Sequence, residues 1–593
     1  MGYLFDIYKL DVNYVDPYGV THFHVACQTG CDDVVKKFLE LGQDPNCLSN
    51  EYGSPLYMAI NSEQEQVVKL LLSKGADPNL AKANGSTPLH LICDQTGDKD
   101  NFVKLLFELS NEKYLPIKVD SQNRLGETPL RLALKKDNKK MTEFLLRSGA
   151  NPNLAARVGM TPLHIISAYG NLEMMEIFFK TIDDIHKMVE VNAQDKTGDT
   201  PLRLAVKYNR TYGSFDFQRM VSLLLRRSAD SNLANTEGST PLHAICQKDS
   251  RVMLEYFLDI NDEIQQTVHI NAQDKKGNTP LHLALQADHQ KMAEYLLERG
   301  ASPNLGCEIG ITALHMICND RRDRHALAKT FFKICKAKHQ LVQVDARDKL
   351  GLTPLQLAVA NLSWKTVDVL LKRGADLSSF VLPTIDDFCE ELNPNSISNF
   401  KSHLASSAIE LVELLEKKGY ELDRKEALTI MALFAKYGLF QKSEDLEKRW
   451  YDDEKFATKA KKIMINSSQS LYDLIQLPPQ EAAKKFARSD LLKFSDSKKL
   501  RILRKRQREA CTAHLCETLS RRFFLRWAGN SLWELLHHRM PILCCDIINE
   551  VLMNEDLRNI CLAAEGLIGG VYLGEPPLRA LRYTECHHCK NFH

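Results

Sequence analysis

The sequence predicts an all-α fold: a solenoid of stacked helix-turn-helix units with short β-hairpin turns, followed by an α-helical C-terminal domain. Three observations predict it. A tetrapeptide of the type Thr-Pro-Leu-His recurs ten times at intervals of 33 to 41 residues. Each copy opens a short apolar segment, which a second apolar segment follows. After about residue 378 the repeat stops, and charge-rich segments with helical periodicity follow.

The tetrapeptide occurs in four complete copies and six variants. The complete copies are Thr87–His90, Thr161–His164, Thr240–His243 and Thr279–His282. The variants begin at Thr21, Ser54, Thr128, Thr200, Thr312 and Thr353. Consecutive copies are separated by 33, 33, 41, 33, 39, 40, 39, 33 and 41 residues. A 33-residue period with this tetrapeptide is typical of ankyrin repeats, and residues 15–378 resemble that family.

The residue types explain how each unit folds. A Gly such as Gly126 permits the positive φ of the turn. The Thr that follows is placed at the helix N-cap, and Pro in the first turn costs no hydrogen bond. No unit can bury its apolar face alone, so stability comes from stacking neighbours. The histidines of the tetrapeptide are predicted to be structural and to bond the turns of neighbouring units.

The intervals alternate. Units that read His-x-Ile-Cys or His-Ile-Ile precede the long intervals, and units with Leu-Ala after the tetrapeptide mostly precede the intervals of 33. The unit of Arg203 is the exception, with an interval of 40. We predict longer second helices or loops in alternate units along one edge. Insertions that form a binding face and duplication of a two-unit ancestor both explain the pattern.

Turn tips between units are the predicted contacts with a protein partner, because they are surface positions by pattern. The candidate residues are Lys82, Asn84, Arg124, Arg157, Asn235, Glu237 and Glu308.

Composition and charge limit the classes of function that we expect for this chain. A net charge of +1 gives no overall field that would attract nucleic acid or a membrane. The sixteen Cys have no regular pairing distances, so free thiols in a reducing, cytoplasmic compartment are expected. No signal peptide and no apolar run of about 18 residues is evident, and no membrane partner is expected. No catalytic constellation or phosphate-binding loop is found, so we expect neither an enzyme nor a cofactor.

Two further motifs have competing explanations. Cys586–Cys589 with His593 provides one ligand pair where structural zinc usually needs two, so no metal site is expected. The basic run Lys498–Arg508 could direct nuclear import or touch nucleic acid. Alternatively, Leu500 and Leu503 face inward and the basic residues form a solvated face. The absence of interleaved aromatic residues favours the second explanation.

Three regions are predicted along the chain: repeats over 1–378, a helical linker and capping region over 379–535, and a distinct C-terminal segment over 536–593. The capping helices would cover the open end of the solenoid with a polar face.

The C-terminal segment resembles an F-box, which has Leu-Pro, a helix with apolar residues at fixed offsets, and then Asp-Leu. Met540 stands for the Leu, and the other matching positions are Pro541, Cys544, Ile548, Leu552, Asp556 and Leu557. Cys544, Ile548 and Leu552 recur every four residues, and Asp556 is placed to cap a helix from Leu557 to Ala564. The sequence departs from the pattern at Leu543, where an acidic residue is usual, and at Asn549, where an aliphatic residue is common.

Ankyrin repeats that end in an F-box-like segment resemble the PRANC proteins, known from poxviruses, endosymbiotic bacteria and parasitoid wasps. The resemblance implies a substrate receptor whose C-terminal helices dock on the Skp adaptor of a cullin ubiquitin ligase. The ankyrin face would hold the protein to be ubiquitinated. The alternative is an ankyrin scaffold or inhibitor that masks a signalling or transcription protein, with the C-terminal helices only capping the solenoid.

Overall fold

A computed structural model of the chain describes residues 14–49, 51–95, 100–208, 215–320, 324–389, 400–440, 454–539 and 541–566. Within these ranges the regular secondary structure is helical. The chain divides into two compact units, residues 1–292 and 293–593.

The first unit consists of paired antiparallel helices. In chain order they are α1 (His22–Thr29), α2 (Asp32–Glu40), α3 (Pro55–Asn61), α4 (Glu65–Ser73), α5 (Pro88–Asp94), α6 (Asp100–Leu109), α7 (Pro129–Lys135), α8 (Lys139–Arg147), α9 (Pro162–Tyr169), α10 (Leu172–Asp184), α11 (Pro201–Tyr208), α12 (Phe215–Arg226), α13 (Pro241–Cys246), α14 (Arg251–Glu263), α15 (Pro280–Gln286) and α16 (Gln290–Glu298), which holds the unit boundary. First helices pack on first helices of neighbouring pairs, and second helices on second helices. Their facing side chains, such as Leu130, Leu163 and Leu202, are fully or almost fully buried.

The tetrapeptide starts each first helix as predicted. In the pair that begins at Thr240, the Thr240 Oγ1 atom accepts from the backbone N–H of His243, and the His243 Nδ1 atom accepts from the N–H of Thr240. This reciprocal capping box satisfies two N–H groups that the helix itself leaves unpaired. Pro241 occupies the first turn, where it removes no bond.

The predicted alternation of the second helices is confirmed. Helices α10 and α14, which follow His-containing tetrapeptides, have 13 residues, whereas α4 and α8 have 9. The exceptional unit of Arg203 has a 12-residue second helix, α12. The two intervals of 39 residues therefore add about one helical turn to the second helix. In the interval of 41 residues that begins at Thr87, α6 has 10 residues and a short 3₁₀ helix over Glu112–Tyr114 follows it.

The turns differ from the predicted β-hairpins. Between residues 14 and 292 none of the described turns forms a regular strand, and two of them form isolated β-bridges, Val15 with Thr21 and Ser49 with Gly53. Successive tips are joined by single backbone hydrogen bonds, for example from Arg124 N–H to the Asn84 carbonyl at 2.9 Å. Each tip is too short for the repeated pairing that defines a strand.

The second unit begins with two more repeat-type pairs and continues with other helices. The pairs are α17 (Ala313–Cys318) with α18 (His325–Ala337), and α19 (Pro354–Ala360) with α20 (Trp364–Lys372). The remaining helices are α21 (Ile385–Cys389), α22 (Phe400–Lys417), α23 (Arg424–Lys436), α24 (Glu454–Lys462), α25 (Leu471–Ile475), α26 (Pro479–Lys485), α27 (Arg488–Asp496), α28 (Lys505–Leu535), α29 (Ile542–Val551) and α30 (Asn554–Ala564). Because α22 packs on α20 and α21 on α19, both helices cover the last repeat.

Helix α28 organises the C-terminal part of this unit. It has 31 residues and packs against α22, α26, α29 and α30. The basic run Lys498–Arg508 does not form one continuous helix. A 3₁₀ helix spans Lys498–Ile502, the chain is extended at Leu503 and Arg504, and α28 starts only at Lys505. Leu500 and Leu503 are buried, as predicted, so the break lets both reach the core.

Candidate partner-binding surfaces

The histidines of the tetrapeptide link neighbouring repeats. The Nε2 atoms of His90, His164 and His243 lie 2.9, 2.9 and 3.0 Å from the carbonyl oxygens of Glu127, Asp199 and Asn278 in the next turns. Since Nδ1 accepts from the N–H of the N-cap Thr, Nε2 carries the proton and donates. Burial lowers the pKa of these rings. The prediction that they are structural is confirmed.

Two units replace this histidine with arginine and keep the link. Arg131 donates to the carbonyl oxygen of Met160, and Arg203 Nε donates to that of Ser239 at 2.9 Å. Both side chains are buried, so each guanidinium needs a counter-charge. Glu127 and Asp199 supply it, one residue before the N-cap Thr.

The same carboxylates also bind a lysine eight residues further along. Lys135 Nζ lies 2.8 Å from Glu127, and Lys207 Nζ lies 3.1 Å from Asp199. The sequence signal is therefore Glu or Asp before Thr-Pro-Leu-Arg, then Lys four residues after the Arg. The tetrapeptide alone does not reveal this coupling, because the acidic residue and the Lys lie outside it.

The predicted tip residues divide into two groups. Asn84, Arg124, Arg157, Glu237 and Glu308 are exposed, whereas Lys82 and Asn235 are half-buried. The side-chain oxygens of both asparagines accept backbone N–H groups of their own turns, from Ser86 and Glu237 respectively. These two side chains therefore hold the turn in shape, and the charged tips are the ones presented outward.

Exposed apolar side chains accompany the arginines at two neighbouring tips. Leu125 is 71% exposed beside Arg124, and Val158 is 55% exposed beside Arg157. The tips lie close together, because a Cβ added to Gly126 would be 2.7 Å from the backbone nitrogen of Arg157. An apolar patch with arginines at its edge suits contact with a protein surface.

A second apolar surface lies on α29, the helix of the F-box-like segment. Leu543, Ile547 and Val551 are 71%, 68% and 74% exposed and recur every four residues, so they share one face. We call this set the α29 apolar face. On the opposite side, Cys545 and Asn549 are buried against the protein.

The remaining F-box-like residues have different environments. Met540 lies outside the described residues. Pro541 and Cys544 are exposed, Ile548 is 37% exposed, and Leu552 is half-buried. The predicted stripe of Cys544, Ile548 and Leu552 is thus turned partly toward the protein. The α29 apolar face, one position earlier in each turn, is the side that faces outward.

The last two predicted positions contribute to folding. Leu557 is fully buried. Helix α30 begins at Asn554, three residues before the predicted start, and the Asp556 carboxylate accepts from the backbone N–H of Met553. Asp556 does cap this helix, but from its third position.

Buried charges on α28 hold α29 and α30 in place. Arg521, 1% exposed, donates from Nη2 to the carbonyl oxygens of Asn549 and Glu550, both at 2.9 Å. One turn earlier, the buried Glu517 carboxylate accepts from the N–H of Asn554 at the start of α30. A cation at the C-terminal end of one helix and an anion at the N-terminal end of the next both interact favourably with the helix dipoles.

The cysteines of the repeats are free thiols. Cys93, Cys246 and Cys318 are buried free thiols, as predicted, and burial raises their pKa. Among the described residues no group of three or more His, Cys, Asp or Glu side chains is placed to hold a metal ion. Cys586, Cys589 and His593 lie outside that part of the chain.

The repeat geometry is matched by a family model. The model described as "Ankyrin repeats" matches three times, over residues 2–82, 56–156 and 212–307. Residues 2–156 and 212–307 of the chain are therefore ankyrin repeats. The buried Thr-His capping boxes and the hydrogen bonds between neighbouring repeats explain why the Thr-Pro-Leu-His tetrapeptide recurs in these repeats.

Known proteins with sequences similar to this chain include a cation channel subunit and a viral ankyrin repeat protein. The human "Transient receptor potential cation channel subfamily A member 1" is 26% identical over 312 residues, which is 46% of this chain and 26% of the channel subunit. The "Putative ankyrin repeat protein FPV230" of fowlpox virus is 28% identical over 170 residues, 24% of this chain and 86% of the viral protein. The chain thus spans about a quarter of the length of the channel subunit.

Among solved structures, the ankyrin repeat domain of Bcl-3 is similar to this chain, at 24% sequence identity and a TM-score of 0.34. The similarity covers 41% of this chain and 99% of the Bcl-3 domain.

None of the helices within the described ranges is long and apolar enough to cross a membrane.

Proposed function

We propose that this protein is an adaptor that captures a target on its ankyrin repeats and recruits it to a Skp-cullin-F-box type ubiquitin ligase through α29 and α30. Such an adaptor breaks no bond itself. It raises the effective concentration of the target near the transferring enzyme.

The observation that supports this proposal is the α29 apolar face. Three large aliphatic side chains more than two thirds exposed on a ten-residue helix are unfavourable in water. A helix that only capped the solenoid would turn them inward. An apolar helix face suits a partner that offers a hydrophobic groove, and the F-box resemblance identifies the Skp adaptor as that partner.

The support beneath α29 agrees with a docking role. Arg521 fixes the C-terminal end of α29 and Glu517 fixes the start of α30, so the turn between them is held by buried hydrogen bonds. A preorganised helix loses less conformational entropy when it binds.

On the target side, the exposed tips offer mixed apolar and charged contacts. Leu125 and Val158 would supply apolar burial, and Arg124 and Arg157 would set orientation and specificity. The same tips would serve the alternative function, in which the protein masks its target and recruits no ligase.

A pull-down with the full-length chain from cell lysate distinguishes the two functions. We expect the wild-type chain to recover the Skp adaptor and a cullin together. Leu543→Ser with Ile547→Ser should abolish this recovery, because it removes two thirds of the α29 apolar face.

The matched control is Leu341→Ser with Val381→Ser, two aliphatic residues 89% and 65% exposed elsewhere in the same unit. It should recover both proteins normally. If the wild-type chain recovers neither protein, or if the two double variants behave alike, the ligase function is rejected and the masking function is retained.

A further inference from the structure

The region from 454 to 508 concentrates positive charge. It contains fifteen Lys and Arg against five Asp and Glu, a net charge of +10 in a chain whose total is +1. One of these cations, Lys484, pairs with Glu550 of α29 at 3.0 Å. A local excess of this size attracts anions over about one Debye length, roughly 8 Å at physiological salt.

Folding brings two parts of this region together. Ala460 of α24 and Leu500 and Leu503 of the 3₁₀ segment belong to the same buried apolar cluster. The Lys499 ammonium donates to the carbonyl oxygen of Met464 at 2.7 Å, just beyond the end of α24. The C-terminal end of α24 and the 3₁₀ helix therefore form one surface.

The cations of this surface are exposed. They are Lys461, Lys462, Lys499, Arg501, Arg504 and Arg506, and we call them the basic surface. In contrast to Arg226, which pairs with Glu263 across the repeats, Arg501, Arg504 and Arg506 form no ion pair within the described chain. Their positive charge is therefore available to an anionic ligand.

Aliphatic side chains project from the same place. Ile502 is 69% exposed between Arg501 and Arg504 in sequence, and Met464 is 36% exposed beside the Lys499 contact. No Phe, Tyr or Trp is exposed among the described residues from 454 to 508, where Tyr472 is half-buried beneath the Lys461 ammonium at 4.9 Å.

We propose that the basic surface adsorbs to membranes that carry anionic lipid headgroups, with Ile502 inserted between the headgroups. Cations and an exposed aliphatic residue provide the two contributions that peripheral membrane binding requires. Nucleic acid would use the cations but gain little from Ile502, and the aromatic side chains that stack on bases are absent here. The sequence-based expectation of no membrane partner rested on the lack of a spanning segment, whereas adsorption needs none.

Flotation of the full-length chain with lipid vesicles tests this proposal. The chain should float with vesicles of phosphatidylcholine and phosphatidylserine in equal parts, and not with phosphatidylcholine alone. Raising the salt concentration should release it. Arg501→Gln with Arg504→Gln and Arg506→Gln should weaken partition about a hundredfold, at about fivefold for each charge. Ile502→Ser should weaken it about fivefold.

The matched control is Lys333→Gln with Lys336→Gln and Lys338→Gln, which removes three exposed charges from the C-terminal end of α18 and the residue that follows it. Its partition should stay close to that of the wild-type chain. Absence of flotation, or equal loss in the two triple variants, would overturn the proposal. Binding to duplex DNA that the arginine variant loses, with no effect of Ile502→Ser on flotation, would assign the surface to nucleic acid instead.

Discussion

The Nη2 atom of Arg521 donates a 2.9 Å hydrogen bond to the carbonyl oxygen of Asn549, which joins the middle of α28 to the last turn of α29. Arg521→Leu would remove the donor to this carbonyl, which keeps only the N–H of Leu552 at 3.3 Å, and the donor to the carbonyl of Glu550. We expect the free energy of unfolding to fall by about 3 to 5 kcal/mol, because a buried polar network loses a cation.

Urea unfolding followed by tryptophan fluorescence measures this loss. All four tryptophans, Trp364, Trp450, Trp527 and Trp533, lie after residue 292, so the signal reports on the second unit. Arg526→Leu is the control, since Arg526 forms an exposed pair with Glu416 and should change stability by less than about 1 kcal/mol. Equal losses in the two variants would show that Arg521 has no special role.

Asn549 lies where an aliphatic residue is common in the F-box pattern. It is 1% exposed, and both polar atoms of its side chain lack a hydrogen-bond partner within the described chain. Asn549→Leu has nearly the same shape and removes this cost, so we expect a gain of about 1 to 2 kcal/mol in the same urea experiment. Asn559→Leu, at an exposed position of α30, should change little. A loss of stability at position 549 would indicate that its amide is satisfied by water.

The pairing of Asp199 with Arg203 is testable by exchange with the histidine type of unit. Asp199→Ser alone should lower the free energy of unfolding by about 3 to 5 kcal/mol, because it leaves the buried guanidinium without its counter-charge. Asp199→Ser with Arg203→His recreates the Ser-Thr-Pro-Leu-His of the unit at Thr240 and should recover most of the loss. Far-UV circular dichroism during urea unfolding measures both effects. Additive losses in the double variant would contradict the coupling.

His514 predicts how stability depends on pH. Its Nε2 atom donates to the carbonyl oxygen of Leu474 at 3.1 Å, and burial lowers its pKa to about 4 from an ordinary value of 6.5. The unfolded chain therefore binds a proton below about pH 6.5 that the folded chain refuses until about pH 4. Stability is complete above pH 6.5 and falls as pH decreases through this window, by up to about 3 kcal/mol.

His514→Gln retains a donor for Leu474 and does not titrate. The difference between wild type and variant in urea midpoint, followed by tryptophan fluorescence, should change between pH 7 and pH 5. A constant difference across that range would show that His514 titrates normally in the folded chain.

Much of the fold could be predicted from the sequence because the repeat sets local structure. Thr, Pro and Gly at fixed offsets determine where each helix starts and ends, and the spacing of the copies revealed the longer helices α10 and α14. The break before Lys505 was not predicted, since the packing of Leu500 and Leu503 on distant residues decides it.

The candidate sites were predicted less completely. Sequence offsets placed the F-box-like segment on a helix, but which side of α29 faces outward depends on Arg521, 28 residues away. Glu517 and Arg521 are one turn apart on α28, and that spacing was the available signal. For the tips, the pattern gave surface positions but not that Asn84 and Asn235 bond their own turns.

Isothermal titration of the purified full-length chain with a purified Skp adaptor tests the central claim directly. The account predicts saturable binding of one adaptor per chain, with a negative heat-capacity change from apolar burial. Leu543→Ser with Ile547→Ser should abolish it, and Leu341→Ser with Val381→Ser should leave it unchanged. Absence of heat with the wild-type chain, or unchanged affinity when the α29 apolar face is removed, would contradict the claim that this helix recruits a ubiquitin ligase.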